Sequence, residues 1–209
     1  MNKYVRMMIF VAVLGTVSGG LLFGTGAITN SLIEANADAL LKSEVLTAHG
    51  VEFTFTNIHD VFAETTTTIA IEGEYEGEDY TFTYYQDNTN GTITFGFGPT
   101  FGGGVWGPII GLLSLENDFT TIVRISVLQQ EETPGLGGIV ATRTYLDTFN
   151  GKSIGLDDDA LEIIKDLDPT VAEANEVRSI TGATRTSNQF NIILNNAYVA
   201  HRLVWEARA

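Results

Sequence analysis

The chain has 209 residues, and 11 Lys and Arg against 26 Asp and Glu give it a formal charge of −15. That length fits one ordinary domain plus an appendage, or two small domains, and 44% hydrophobic residues exclude a disordered chain. No cysteine is present, no basic stripe exists, and His49, His59 and His201 are widely scattered. Disulfides, thiolate-held metals, a thiol nucleophile, a local histidine metal motif and nucleic-acid binding are therefore all disfavoured.

The charge is unevenly distributed. Residues 1–30 hold Lys3, Arg6 and no acid, a balance of +2, which leaves −17 for the remainder. Met7 to Ile28 is an uncharged apolar run of 22 residues, roughly 33 Å as a helix and enough to cross a hydrocarbon core. A retained anchor and a cleaved signal peptide compete as readings. The Ala-x-Ala site nearby, Ala35-Asn36-Ala37, lies well beyond the apolar run, which favours the anchor. Lys3 and Arg6 then put the N-terminus in the cytoplasm and the acidic remainder on the extracytoplasmic side of the cell membrane. Residues 1–29 are read as the anchor. Residues 30–50 are read as an amphipathic stalk helix, with Leu32, Ile33, Ala37, Leu40 and Leu41 forming an approximate apolar stripe.

Residues 51–209 read as one α+β domain. Thr65–Ile71, Tyr80–Tyr84 and Thr92–Phe95 alternate Thr, aromatic and β-branched residues, as antiparallel strands do. Gly73, Gly77 and Asn90-Gly91 are expected to interrupt them as turns. Asn90-Gly91-Thr92 also matches a glycosylation sequon, and the Asn-Gly turn accounts for it. Ile109–Leu115 and Thr121–Leu128 are two further strands joined at Glu116-Asn117-Asp118. A short helix is expected over Ala141–Phe149, and another from Asp157-Asp158-Asp159 into Ala160–Ile164, with carboxylates at the positive end of the dipole. The three aspartates lack the spacing and turn glycine of a calcium loop, so no metal is assigned. Thr186–Ala207 places Phe190, Ile193, Leu194, Ala197, His201 and Val204 on one face of a C-terminal helix, with His201 at the edge of the packing.

Three segments depart from ordinary patterning. Gly102–Pro108 sets four glycines around Trp106, giving a backbone that approaches a ligand closely beside an indole wall, or else a bulged turn with a core Trp. Glu131–Gly138 follows a strand. Its Pro134-Gly135 sets a type II turn, Thr133, Gly135, Gly137 and Gly138 offer amides and one hydroxyl, and Glu132 either meets a ligand ring or binds loop amides. Thr181–Ser187 puts small residues and hydroxyls before a helix. That is an anion site, or simply an N-cap. A dipole contributes about 0.3–1 kcal/mol to an exposed anion, whereas micromolar retention of a cofactor needs about 8 kcal/mol. Retention there requires many more contacts or a covalent bond.

Together these segments resemble a known family. Gly-x-Trp-Gly-Pro-Ile from Gly104, Glu-Thr-Pro-Gly-Leu-Gly from Glu132 and Thr-Gly-Ala-Thr-x-Thr-Ser from Thr181 are similar to the covalent FMN-binding domain of membrane redox complexes. The nearest likeness is to the G component of the Rnf complex, whose length suits this chain, and less closely to the C component of the sodium-pumping NADH:quinone reductase. The resemblance implies an antiparallel-sheet FMN-binding domain behind one transmembrane helix. It implies FMN joined by a phosphoester to Thr184, made by a separate flavin transferase. Thr181, Gly182, Ala183, Arg185 and Thr186 would surround the phosphate, and Glu132, Thr133, Leu136, Gly137 and Trp106 would line the ring. The resemblance departs at Arg178, six residues before Thr184, where the family's transferase motif carries Asp.

The function so implied is an electron-carrier subunit of an Rnf-type ion-translocating ferredoxin:NAD oxidoreductase. Other redox subunits are its partners, and no residue of the chain acts as a catalytic acid, base or nucleophile. Two alternatives stand beside it: a subunit of the quinone reductase or another surface electron-transfer system, and a flavin-free assembly subunit, which Arg178 supports.

Overall fold

A computed structural model describes residues 2–168 and 170–208. Met1 and Ala209, the outer limits of the expected anchor and domain, lie outside them. Backbone contacts divide the chain into two units, one up to Leu40 and one from Leu41 onward.

The first unit consists of one helix. Helix α1 is continuous over Lys3–His49, 47 residues, about 70 Å at 1.5 Å per residue. Its most apolar 18-residue window has a mean hydropathy of 2.0 with none of it buried, so by length and composition it can cross a membrane. Thr16, Thr25 and Thr29 return their hydroxyls to carbonyls one turn back (2.8–2.9 Å), which satisfies them inside an apolar helix. The stretch from Asn30 continues the same helix, and its Leu32 and Ile33 are exposed.

In the second unit, the last turns of α1 lead into α2 (Ile58–Thr65) and a five-stranded meander: β1 (Thr66–Tyr75), β2 (Glu78–Asp87), β3 (Ile93–Phe97), β4 (Ile110–Leu115) and β5 (Ile122–Gln129). The strands lie in that order, each pair antiparallel. Glu76 and Gly77, both at positive φ, turn β1 into β2 as a two-residue hairpin demands. Gly73 does not interrupt β1 as expected; it pairs with Tyr80 inside the strand. A Cβ at Gly73 would meet Val204 Cγ2 at 2.7 Å, so its missing side chain admits a helix.

That helix is α4 (Thr184–Ala207), which starts two residues before the expected Thr186. Its Phe190, Ile193, Leu194, Ala197 and Tyr198 are fully buried against Tyr84, Phe95, Leu113, Leu115 and Ile125 of the sheet. The alternate residues Tyr85, Leu112 and Leu128 pack with Val45, Leu46, Ile58 and Phe62 from the end of α1 and from α2. Strand alternation therefore gives the sheet two covered faces. On the second face His49 Nε2 meets the Thr94 hydroxyl (3.3 Å), which bonds Ser114 (2.8 Å), and Glu44 accepts from Arg124 and Ser126.

Three expectations need correction. His201 is not at the edge of the packing: it is 4% exposed, stacked on Phe95 with centroids 4.2 Å apart. Ala141–Phe149 is a single α turn, α3 (Arg143–Leu146), between two 3-10 turns. The helix expected from Asp157 does not form. Asp157–Asp159 is a 3-10 turn, and Glu162–Ile164 is a strand, β6, paired in parallel with β7 (Glu176–Arg178). Leu161 and Ile163 are buried while Glu162 is exposed, a period of two, and Asn195 and Asn191 of α4 accept their backbone amides (3.0 and 3.1 Å).

Candidate functional site

Glu132 joins the three unusual segments. It follows β5, is 4% exposed, and uses both carboxylate oxygens. Oε1 accepts the amides of Val105 (2.6 Å) and Trp106 (3.1 Å), and Oε2 accepts the hydroxyl of Thr186 (2.7 Å). Charge-assisted bonds of this kind are about twice as strong as neutral ones. The carboxylate fits because both neighbours are glycine. A Cβ at Gly104 would lie 2.6 Å from Oε1, and one at Gly137 would lie 2.5 Å from Oε2. Of the two roles the sequence left open for Glu132, the structure has it binding loop amides, and those amides belong to the loop around Trp106.

Each wall of the site follows from local sequence. Gly104 donates to the Gly107 carbonyl (2.9 Å), closing a tight turn that leaves the Trp106 side chain 71% exposed, so the core reading of this Trp is overturned. Pro134 and Gly135, the latter at φ +75°, form the expected turn, closed by the Leu136 amide on the Thr133 carbonyl (3.1 Å). Leu136 is left exposed beside it. Gly182, at φ +82°, reverses the chain into α4. The cap position is Ala183, with no side-chain cap bond, so the N-cap role weighed for a Thr is not used. Ser187 instead fastens the turn: its hydroxyl accepts the Ile180 amide (3.0 Å) and donates to the Ala183 carbonyl (3.1 Å).

The first intrahelical bond runs from Ser187 N–H to the Ala183 carbonyl (3.0 Å), so the amides of Thr184, Arg185 and Thr186 have no helical acceptor. The Ala183 amide is taken by the Ile180 carbonyl. The available set is therefore Thr184–Thr186, without Ala183. Thr184 and Arg185 are exposed at the first turn of α4, and among the described residues the Thr184 hydroxyl makes no hydrogen bond.

These elements enclose an open cleft of about 320 Å³, at the small end of ligand sites. Trp106, Glu132, Thr133, Leu136, Gly137, Gly182, Ala183, Thr184, Arg185 and Thr186 all line it. Ten of the eleven residues named from the sequence thus converge. Thr181 lies instead on a smaller cleft of about 50 Å³ that Thr184 shares with Lys165 and Arg178. Sequence reasoning passed over Val105, which also lines the main cleft and donates to Glu132, although it sat within the quoted glycine segment. Two exposed apolar side chains on one side and three free amides with a cation on the other suit a planar ring carrying a phosphate. Among the described residues no group of three or more His, Cys, Asp or Glu is arranged to hold a metal ion.

Residues 104–199 match the FMN-binding domain family. The match begins at the Gly104 turn and takes in Glu132, Thr184 and most of α4. Part of the chain is similar to the C subunit of the Na(+)-translocating NADH-quinone reductase. It is 35% identical to that of Pseudomonas aeruginosa over 122 residues, 56% of this chain and 46% of the relative. With that of Vibrio alginolyticus it shares 36% over 92 residues, 43% and 36% of the two chains. The chain thus spans less than half the length of these relatives. Solved structures share the fold: NqrC from Shewanella oneidensis (TM-score 0.64, 20% identity, 78% of this chain and 91% of that one) and its counterpart from Parabacteroides distasonis (0.64, 22%, 82% and 96%). The α+β class and FMN as the family's cofactor agree with the sequence reading.

Proposed function

We propose that this domain carries FMN joined through its phosphate to Oγ1 of Thr184, and that it serves as an electron-carrier subunit of a membrane redox complex anchored by α1. The observation that carries the reading is the position of Thr184. It offers an exposed, unbonded hydroxyl at the first helical residue, on a cleft with Trp106 and Leu136 among its walls. FMN supplies reversible electron transfer when bound. The chain's own residues bind and orient. The amides of Thr184, Arg185 and Thr186, with the Arg185 guanidinium, hold the remaining phosphate charge. Trp106 and Leu136 pack on the ring. Glu132, bonded through both oxygens to protein donors, keeps the loops in place. A phosphoester overcomes the weak retention of an exposed helix terminus and leaves the ring edge open to partners.

Lys3 and Arg6 support a cytoplasmic N-terminus with the acidic domain on the other side. The three motif spacings favour an Rnf-type complex. The relatives' own names support the quinone-reductase assignment equally well. Copurification from native membranes in mild detergent separates them by which redox subunits come along. A flavin transferase is the expected maturation partner. The flavin-free reading has one observation in its favour, since Arg178 stands at the end of β7 on the small cleft it shares with Thr184. The test is a denaturing gel of protein from native membranes under ultraviolet light, with intact mass. Flavin fluorescence and an FMN increment that both vanish in Thr184→Val are expected. Native protein lacking both would overturn the proposal.

A further inference from the structure

The two edges of the five-stranded sheet are finished differently. Along β5 the outward groups are occupied. The Ile122 amide donates to the Lys152 carbonyl (2.8 Å), its carbonyl accepts from Gly151 (2.7 Å), and Arg143 donates to the Ile125 carbonyl (2.9 Å). Along β1 they are not. The two-residue turn at Glu76-Gly77 makes Tyr75 and Glu78 a hydrogen-bonded pair. By alternation Gly73, Ile71, Ile69 and Thr67 also bond inward to β2. Thr68, Ala70, Glu72 and Glu74 therefore turn their N–H and C=O groups away from the sheet. All four residues are exposed, and among the described residues no other element bonds to those groups. Thr66 is spoken for, because its amide closes α2 on the Phe62 carbonyl.

No Pro, Lys or bulge protects the ten residues of this edge. It carries acid instead. Glu72 and Glu74 lie on one face of the strand; Glu72 accepts the Thr81 hydroxyl (2.9 Å), and Glu74 has no ion pair or hydrogen bond among the described residues. On the other face an open cleft of about 260 Å³ separates Ile71 and Gly73 from Leu203, Val204 and Ala207 of α4. Leu203 is exposed there. Arg208, also on the cleft, keeps its guanidinium over the Trp205 ring, 3.1 Å from the centroid.

We propose that the β1 edge docks an extended segment of another protein as a sixth strand, read by a basic–apolar–basic alternation. The free backbone groups supply the pairing, and the side chains on either face supply the choice. Positions opposite Glu72 and Glu74 share their face, so Lys or Arg two residues apart meets both carboxylates. The residue between them points to the other face, opposite Gly73, whose missing side chain leaves an apolar group access to the Leu203 cleft. Charge decides against a second copy. The hairpin Thr66–Asp87 holds six carboxylates and no Lys or Arg, so two such edges repel each other. The surface is independent of FMN, because its cleft shares no residue with the one at Thr184.

The test uses the full-length chain in an uncharged detergent, with a labelled, end-capped Thr-Val-Lys-Val-Lys-Val-Thr peptide as the probe. Saturable, salt-weakened binding is expected. Amide exchange should slow at Thr68, Ala70, Glu72 and Glu74 and stay unchanged at Ile69 and Ile71. The peptide with Glu for both Lys, and the one with Ser for the central Val, should each bind at least tenfold more weakly. Glu72→Lys combined with Glu74→Lys, both at exposed positions, should reverse the preference towards the Glu peptide. Equal binding of the Lys and Glu peptides, binding that leaves the four amides unprotected, or no binding would each overturn the proposal. So would protection of those amides in the free chain that rises with protein concentration, since a second copy would then hold the edge. The peptide comparison needs no variant and decides alone if the double variant does not fold.

Discussion

The two ends of α4 do opposite things with the same backbone. Its first turn is exposed and polar, with Thr184 and Arg185 facing solvent and Thr186 held by Glu132. Its later turns are enclosed by aromatic rings, and Tyr84 even donates its hydroxyl to the His201 carbonyl (2.8 Å). The contrast teaches where each kind of energy sits. Burial along Phe190–His201 fixes the helix, and that fixed helix can then leave its starting amides unpaired for a ligand. A terminus that had to stabilise the fold would need those amides capped.

Substitutions at the two ends should therefore separate function from stability. The largest functional effect is expected at the first turn: Thr184→Val should remove all covalent FMN, while unfolding free energy stays within about 0.5 kcal/mol, as for an exposed site. A thermal melt read beside intact mass checks both halves. Glu132→Ala should cost about 3 kcal/mol, because it strands three donors at once, and Glu132→Gln should recover part of it. Denaturant midpoints measure the cost, and faster amide exchange at Val105 and Trp106 would locate it.

At the enclosed end, Gly73→Ala should destabilise by about 1–3 kcal/mol, since the new methyl overlaps Val204. Val204→Ala in the same chain should restore most of that loss in the same melts. The smallest effect is a slope. His201 has a folded pKa depressed to about 3, so its folded form binds fewer protons than the unfolded chain. Its contribution is complete above about pH 6.5 and declines as pH falls toward 3, by up to about 1.4 kcal/mol per pH unit. Replacing it with Phe should flatten urea-unfolding stability between pH 6 and 4. Part of the slope should persist, because burial also lowers His49, against an opposing pull from Asp87. An unchanged slope in His201→Phe would mean that the imidazole is solvated.

The same contrast governs what could be read from sequence. The meander was legible because Thr, aromatic and β-branched residues alternate and Gly77 marks the first turn. The site was legible as three separate segments because glycine, proline and tryptophan cluster there for geometric reasons. Its wiring was not. Nothing local says that Glu132 reaches back to Val105 and forward to Thr186, contacts spanning 27 and 54 positions. The acid-rich stretch from Asp157 misled because a helix-start signal and a strand share the same few residues, and the asparagines of α4 decided between them. His201 misled because helical periodicity marks the buried face but not its depth. Gly73 resembled a turn residue, although its role depends on a side chain more than a hundred positions away.

One consequence of Glu132 bears on electron flow. A carboxylate with both oxygens engaged cannot swing, and the amides it grips cannot turn to follow a charge that arrives in the cleft and departs. Dipoles fixed beforehand need little rearrangement when the charge changes. A prosthetic group seated between Trp106 and Thr184 would thus meet, on the Glu132 side, protein dipoles that rearrange little when its charge changes.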